Sequence, residues 1–130
     1  RRVRLETQMA SELPPVLGDA VQLQQVLMNL LMNAMDAMEG VDPKQRVVQV
    51  TTAAERGERV RLEVTDAGPG VDPDARARLF EPFFTTKPNG LGMGLALCRS
   101  IAEAHGGRIQ PLERPGPGTT FQVSFPARRR

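Results

Sequence analysis

From residue 20 to about residue 39, Leu23, Leu27, Leu30, Leu31, Ala34 and Met38 recur at three- and four-residue spacing. That period predicts an amphipathic helix with one face turned to a core. Asp19 stands at its N-cap position, and Gly40 with Asp42 and Pro43 supplies the stop. Alternation takes over in residues 3–9, 47–54 and 59–65, which read as strands, the last two joined by the turn 55–58. Residues 12–18 carry two prolines and are confined to a sheet edge or a connection. A short helix is expected from residue 73 to about 79, capped by Asp72.

Between residues 80 and 92 the periodicity disappears, and three of the five phenylalanines crowd into residues 80–84. Apolar rings in a stretch punctuated by Gly and Pro predict a lid that packs conditionally. Helical spacing returns over residues 93–104, with Leu95, Leu97, Ile101 and Ala104 as its apolar positions, and His105-Gly106-Gly107 ends it. Residues 108–112 and 119–125 make the closing strands. The order of helix, hairpin, lid, helix, hairpin predicts an α+β fold, a two-layer α/β sandwich with a mixed, mostly antiparallel sheet. It excludes a βαβ dinucleotide unit.

A chain of 130 residues accommodates one domain. We place its core at about residues 18–126 and regard 127–130 as a basic tail. An apolar fraction of 40% and a charged fraction of 25% are those of a soluble globular protein. No apolar run approaches the roughly 18 residues of a membrane span, and the first residues lead into no apolar signal core. The basic balance comes from the ends: Arg1, Arg2 and Arg128 to Arg130 supply five of 17 basic residues, leaving 12 against 15 acidic ones, a net of −3. The body is therefore mildly acidic, and neither a nucleic-acid face nor membrane contact is expected. One cysteine, Cys98, cannot form an internal disulfide, which fits a reducing, cytoplasmic setting. Cys98 and the methionines of the long helix read as core residues.

Gln22, Gln25, Asn29, Asn33 and Asp36 fall on a second stripe of the long helix. Asn is a poor helix former, so two in mid-helix stand out, although a solvated polar face explains them equally well. Gly90-x-Gly92-x-Gly94 precedes a helix without a preceding strand and without the Gly-Lys-Ser/Thr of a P-loop. Such glycines let backbone amides approach an anion at a helix N-terminus, or else serve as a hinge. Asp66 closes a strand and opens the turn Asp66-Ala-Gly68-Pro-Gly70. Its carboxylate can accept from an exocyclic amine such as that of adenine, or form an Asx turn. Asn33 offers a neutral oxygen suited to Mg²⁺.

Taken together, these segments resemble the catalytic and ATP-binding domain of sensor histidine kinases, within the superfamily that includes DNA gyrase B and the heat-shock chaperones. Asn29-Leu-Leu-Met-Asn33-Ala is similar to its N box, and Asp66-Ala-Gly68-Pro-Gly70 to its first glycine box. Phe80-Glu-Pro-Phe-Phe84 resembles the F box, Gly90-Leu-Gly92-Met-Gly94-Leu95 the second glycine box, and Gly118-Thr119-Thr-Phe121 the last. Thr85-Thr86-Lys87 and His105-Gly106-Gly107 are similar to the oxygen- and nitrogen-sensing subgroup.

The resemblance implies the Bergerat ATP-binding fold, with ATP and Mg²⁺ bound. Asn33 would hold the metal, and Asn29 would assist at the phosphates. Asp66 would take the adenine amine, with Gly68 and Gly70 shaping the turn and Thr119 supporting the base through water. Gly90, Leu91, Gly92, Met93, Gly94 and Leu95 would bring backbone amides to the phosphates, with Lys87 and Arg99 as further contacts. In hydrolytic relatives a Glu sits four residues before the metal-binding Asn; here that position is Asn29, and a carboxamide cannot serve as a base. The implied reaction is transfer of the γ-phosphate to a histidine on a separate dimerisation domain, and thence to a response regulator. The alternatives are a non-catalytic nucleotide-binding module and a gyrase- or chaperone-type ATPase. His105, at a helix end, is expected to be structural rather than a phosphoacceptor.

Overall fold

Two antiparallel helices, α1 (Ala20–Ala37) and α3 (Gly94–Ala104), lie on one face of a five-stranded sheet. The computed structural model describes residues 3–10, 12–16, 18–55, 58–70, 73–76, 78–81, 94–112 and 118–127. The strands are β1 (Arg4–Gln8), β2 (Val47–Glu55), β3 (Arg59–Thr65), β4 (Arg108–Leu112) and β5 (Thr120–Pro126), in the spatial order β1-β2-β3-β5-β4. Only the β1–β2 pair is parallel. The sandwich and its mixed sheet are those expected.

Alternation places Val48, Val50, Val64, Ile109, Phe121, Val123 and Phe125 on the helix-facing side. There they meet Val26, Leu30 and Ala34 of α1, Met38 at its C-cap, and Cys98, Ile101 and Ala102 of α3. Burying a side chain the size of Leu30 stabilises the fold by about 2 kcal/mol. The other face of the sheet is polar and tied together sideways. Glu63 takes Arg61 at 3.2 Å and Gln122 at 2.9 Å, Gln110 donates to Gln122 at 3.0 Å, and Thr65 pairs with Thr120 at 2.8 Å.

Helix α1 starts where Asp19 accepts from the amides of Val21 and Gln22, at 2.9 and 3.2 Å. At its other end the Arg46 guanidinium donates to the carbonyls of Val41 and Glu39, both at 2.8 Å. The expected core of α1 needs two corrections. Val26 is buried although the periodicity passed it over, because α3 covers that side as well as the sheet. Met28 and Met32 are 53% exposed and are not core; they lie on the side of α1 opposite Leu30, which neither layer covers. The short helix α2 (Pro73–Arg76) ends three residues before the expected limit, where bonds from Arg78 to Ala75 and from Leu79 to Arg76 tighten the chain into a turn. Its expected cap Asp72 lies outside the described residues.

Candidate functional site

Asn29 and Asn33 sit half-buried on α1, one turn apart. Asn29 is held at both ends of its carboxamide. Its Oδ1 accepts from Gln25 Nε2 at 3.0 Å, and its Nδ2 donates to the Gly94 carbonyl at 3.4 Å. This second bond brings α1 against the first residue of α3. Behind it lies the fully buried Cys98 thiol, whose pKa burial pushes up from 9.0 to about 11, partly countered by its bond to Asn29.

Two turns beyond Asn29, α1 meets the glycine turn that follows β3. A Cβ on Gly68 would stand 2.7 Å from the Ala37 carbonyl oxygen, so only glycine lets the turn lie against the end of α1. The Ala67 amide donates to Met38 Sδ at 3.4 Å, a further tie at the same place. Within the turn, buried Asp66 accepts from the amides of Gly68 at 2.8 Å and Thr119 at 3.3 Å through the same Oδ1. The Asp66 amide in turn donates to the Thr119 carbonyl at 2.9 Å. Gly70 and Gly118 both have positive φ, +91° and +108°, and a Cβ on Gly118 would overlap the Asp66 carbonyl.

Residues 29, 33 and 37 therefore share one side of α1, with Asn29 against Gly94, Ala37 against Gly68, and Asn33 between them. One turn of helix, about 6 Å, separates Asn33 from each neighbour. The backbone thus gathers Asn33, Gly94, Asp66, Gly68, Gly70 and Thr119 at one end of the sandwich. Leu95 is half-buried and packs against the core. Arg99 lies on the exposed side of α3, with Nε 3.6 Å from Glu103. Lys87, Gly90, Leu91, Gly92 and Met93 lie outside the described residues. Gln25 and Gly118 were not among the residues singled out for a role. Gln25 shared the polar stripe at a four-residue step from Asn29, and Gly118 opened the Gly-Thr-Thr segment, so both signals were present.

These features define a two-layer α+β sandwich with a polar site between one helix, one glycine turn and the start of a second helix. The chain belongs to the histidine kinase-, DNA gyrase B-, and HSP90-like ATPase family, whose model matches residues 18–129. It is 46% identical over 112 residues to the sensor protein FixL of Bradyrhizobium diazoefficiens, covering 86% of this chain and 22% of FixL. It thus spans about a fifth of that relative's length. Among solved structures, the catalytic domain of histidine kinase ThkA superposes with a TM-score of 0.82 at 31% identity, covering 97% of this chain and 80% of that one. Full-length ShkA in complex with AMPPNP gives 0.80 at 36% identity, covering 98% of this chain and 26% of ShkA.

Proposed function

We propose that this chain is the ATP-binding catalytic domain of a protein-histidine kinase, which passes the γ-phosphate of ATP to a histidine on a separate dimerisation domain. The observation that carries the reading is the position of Asn33 on α1, midway between the glycine turn at Gly68 and the helix start at Gly94. A nucleotide lying along that side of α1 has its base at Asp66 and its phosphates at the N-terminal end of α3. An ionised carboxylate only accepts hydrogen bonds, so an adenine amine suits Asp66. The ShkA complex with AMPPNP, an ATP analogue, and membership of an ATPase family support the choice of ATP.

The donor set around Asn33 fits Mg²⁺. It offers a hard carboxamide oxygen beside the place assigned to the phosphates. Bound there by Asn33 and by substrate oxygens, Mg²⁺ would neutralise phosphate charge. The protein's own part is positioning: backbone amides at the start of α3 face the phosphates, and Asn29 holds that helix start in place.

Asn29 also bears on where the phosphate goes. Its carboxamide cannot take a proton from water, and its nitrogen donates to the Gly94 carbonyl. His105, the single histidine of the chain, has both ring nitrogens engaged in the fold, so the phosphoacceptor lies on another domain. We place that dimerisation domain in the same kinase and a response regulator after it, in the cytoplasm. No helix among the described residues is long and apolar enough to cross a membrane. Mixing this chain with its dimerisation domain and γ-labelled ATP is expected to give acid-labile phosphate on that domain. ATP binding with no transfer in a folded mixture would overturn the kinase reading.

A further inference from the structure

His105 follows the last residue of α3, and both nitrogens of its ring are held. Nδ1 lies 2.8 Å from the Ile101 carbonyl oxygen, and the Asp19 amide donates to Nε2 at 3.1 Å. A carbonyl only accepts and a main-chain amide only donates, so the two contacts coexist only in the neutral tautomer with hydrogen on Nδ1. The ring also stands edge-on to Phe125, with centroids 6.2 Å apart. Its approach to the start of α1 is close: a Cβ on Gly18 would overlap the imidazole, with Nε2 only 2.7 Å away.

Among the described residues this contact lies at one end of a row of polar ties between α1 and α3. Asp19 meets His105 at one end, the Cys98 thiol reaches the Val26 carbonyl at 3.7 Å in the middle, and Asn29 meets Gly94 at the other end. Residues 19, 26 and 29 thus pair with 105, 98 and 94 in antiparallel register. The outer ties stand about 15 Å apart along each helix. A helix attached at one point can pivot, whereas one attached at both ends keeps its tilt and its register.

We infer that His105 is a positioning residue for the phosphate end of the nucleotide site, acting through the α1–α3 pair; this rests on the nucleotide reading above. Releasing Asp19 from the ring lets α3 tilt about its inner ties and moves Gly94 relative to Asn33. A misplacement of about 1 Å at such a site can cost a hundredfold in rate. The base end is built differently, from Asp66, Gly68 and Thr119 at the ends of β3 and β5 and the end of α1. Loss of the His105 tie therefore separates the two halves of the ligand.

The test uses this same chain with His105→Leu, His105→Gln and Gly18→Ala, titrated with ATP plus Mg²⁺ and, separately, with adenosine. His105→Leu and Gly18→Ala are expected to weaken ATP binding about tenfold while adenosine binding stays within about twofold. His105→Gln, whose side-chain oxygen can accept from Asp19 where Nε2 does, is expected to stay within about threefold of the unsubstituted chain for ATP. Equal losses of ATP and adenosine binding, or none in folded variants, overturn the positioning role. Should His105→Leu fail to fold, Gly18→Ala decides the matter by the same split. An unsubstituted chain that binds no ATP overturns the nucleotide reading and this inference with it, whereas one that binds ATP without the split overturns only the inference.

Discussion

Asp66 and Thr119 hold each other by two bonds: the Thr119 amide donates to Asp66 Oδ1 at 3.3 Å, and the Asp66 amide donates to the Thr119 carbonyl at 2.9 Å. The backbone bond and an acceptor oxygen both survive in Asp66→Asn, so this variant is expected to keep the fold. What it loses is an acceptor-only group, because the amide nitrogen can turn toward the base and oppose the adenine amine. A hydrogen bond to a charged group contributes about 1.5–3 kcal/mol, so ATP affinity should fall roughly ten- to hundredfold. Isothermal titration with ATP and GTP checks this; the preference for ATP should shrink along with the affinity.

Gly68 and Gly94 are expected to respond oppositely to alanine. A Cβ at Gly68 meets the backbone oxygen of Ala37 at 2.7 Å, while one at Gly94 meets nothing within 4 Å. Gly68→Ala must therefore push the turn off the end of α1, at a cost of about 1–3 kcal/mol. Gly94→Ala should leave stability unchanged or raise it by less than about 1 kcal/mol, since glycine is the weaker helix former. Thermal unfolding without nucleotide separates the two.

Much of the fold was legible because it rests on local periods. The three-and-four spacing of Leu23, Leu27 and Leu30 and the alternation through Val48, Val50 and Val64 report burial by a single layer, and those elements stand where expected. Val26 was missed because its partner, Cys98, is 72 residues away, and no period within α1 encodes a second helix. The exposed Met28 and Met32 show the converse, since an apolar residue does not announce that nothing will cover it. The site was legible as motifs and opaque as contacts. Asn29 is legible as a carboxamide where hydrolytic relatives carry a Glu, but its bond to Gly94 spans 65 residues. The clasp of Asp19 by His105 spans 86 and could not be read from either helix end.

Asn33→Ala removes the oxygen assigned to Mg²⁺ from a half-buried position on α1. Alanine is the stronger helix former, so the helix should persist. Loss of the metal contact is expected to abolish the dependence of ATP affinity on Mg²⁺ and to stop phosphotransfer. Circular dichroism should be unchanged, and ATP titrations with and without Mg²⁺ should converge. A variant that keeps the full Mg²⁺ effect would place the metal elsewhere.

Cys98 offers a prediction in pH. Its folded thiol has a pKa raised from 9.0 to about 11, chiefly by burial. The stability contributed by the neutral thiol is fully present below about pH 9, where the unfolded thiol is still protonated. It is lost as pH rises through 9 toward 11, because the unfolded chain can release a proton that the folded chain retains. The slope is at most about 1.4 kcal/mol per pH unit, or roughly 2–3 kcal/mol across the interval. Urea unfolding of the unsubstituted chain and of Cys98→Ala over this range should show the difference narrowing as pH rises. At about pH 8 the folded thiol should resist alkylation that proceeds readily in denaturant.

Asn29→Asp tests whether this position holds α3 or only marks the missing base. The side chains are nearly the same size, but Asp turns an acceptor toward the Gly94 carbonyl where Asn29 donates. The Gln25 donor can still reach the remaining oxygen, so the variant is expected to fold, with stability reduced by about 1–3 kcal/mol for the lost bond and the opposed oxygens. The start of α3 should then loosen, and ATP affinity and phosphotransfer should both fall. Hydrolysis is not expected to rise, because a carboxylate one carbon shorter than Glu and turned toward α3 does not reach a water at the γ-phosphate. Release of free phosphate by this variant at or above about 1 s⁻¹, the low end for enzymes, would show that position 29 faces the reacting phosphate and not the helix.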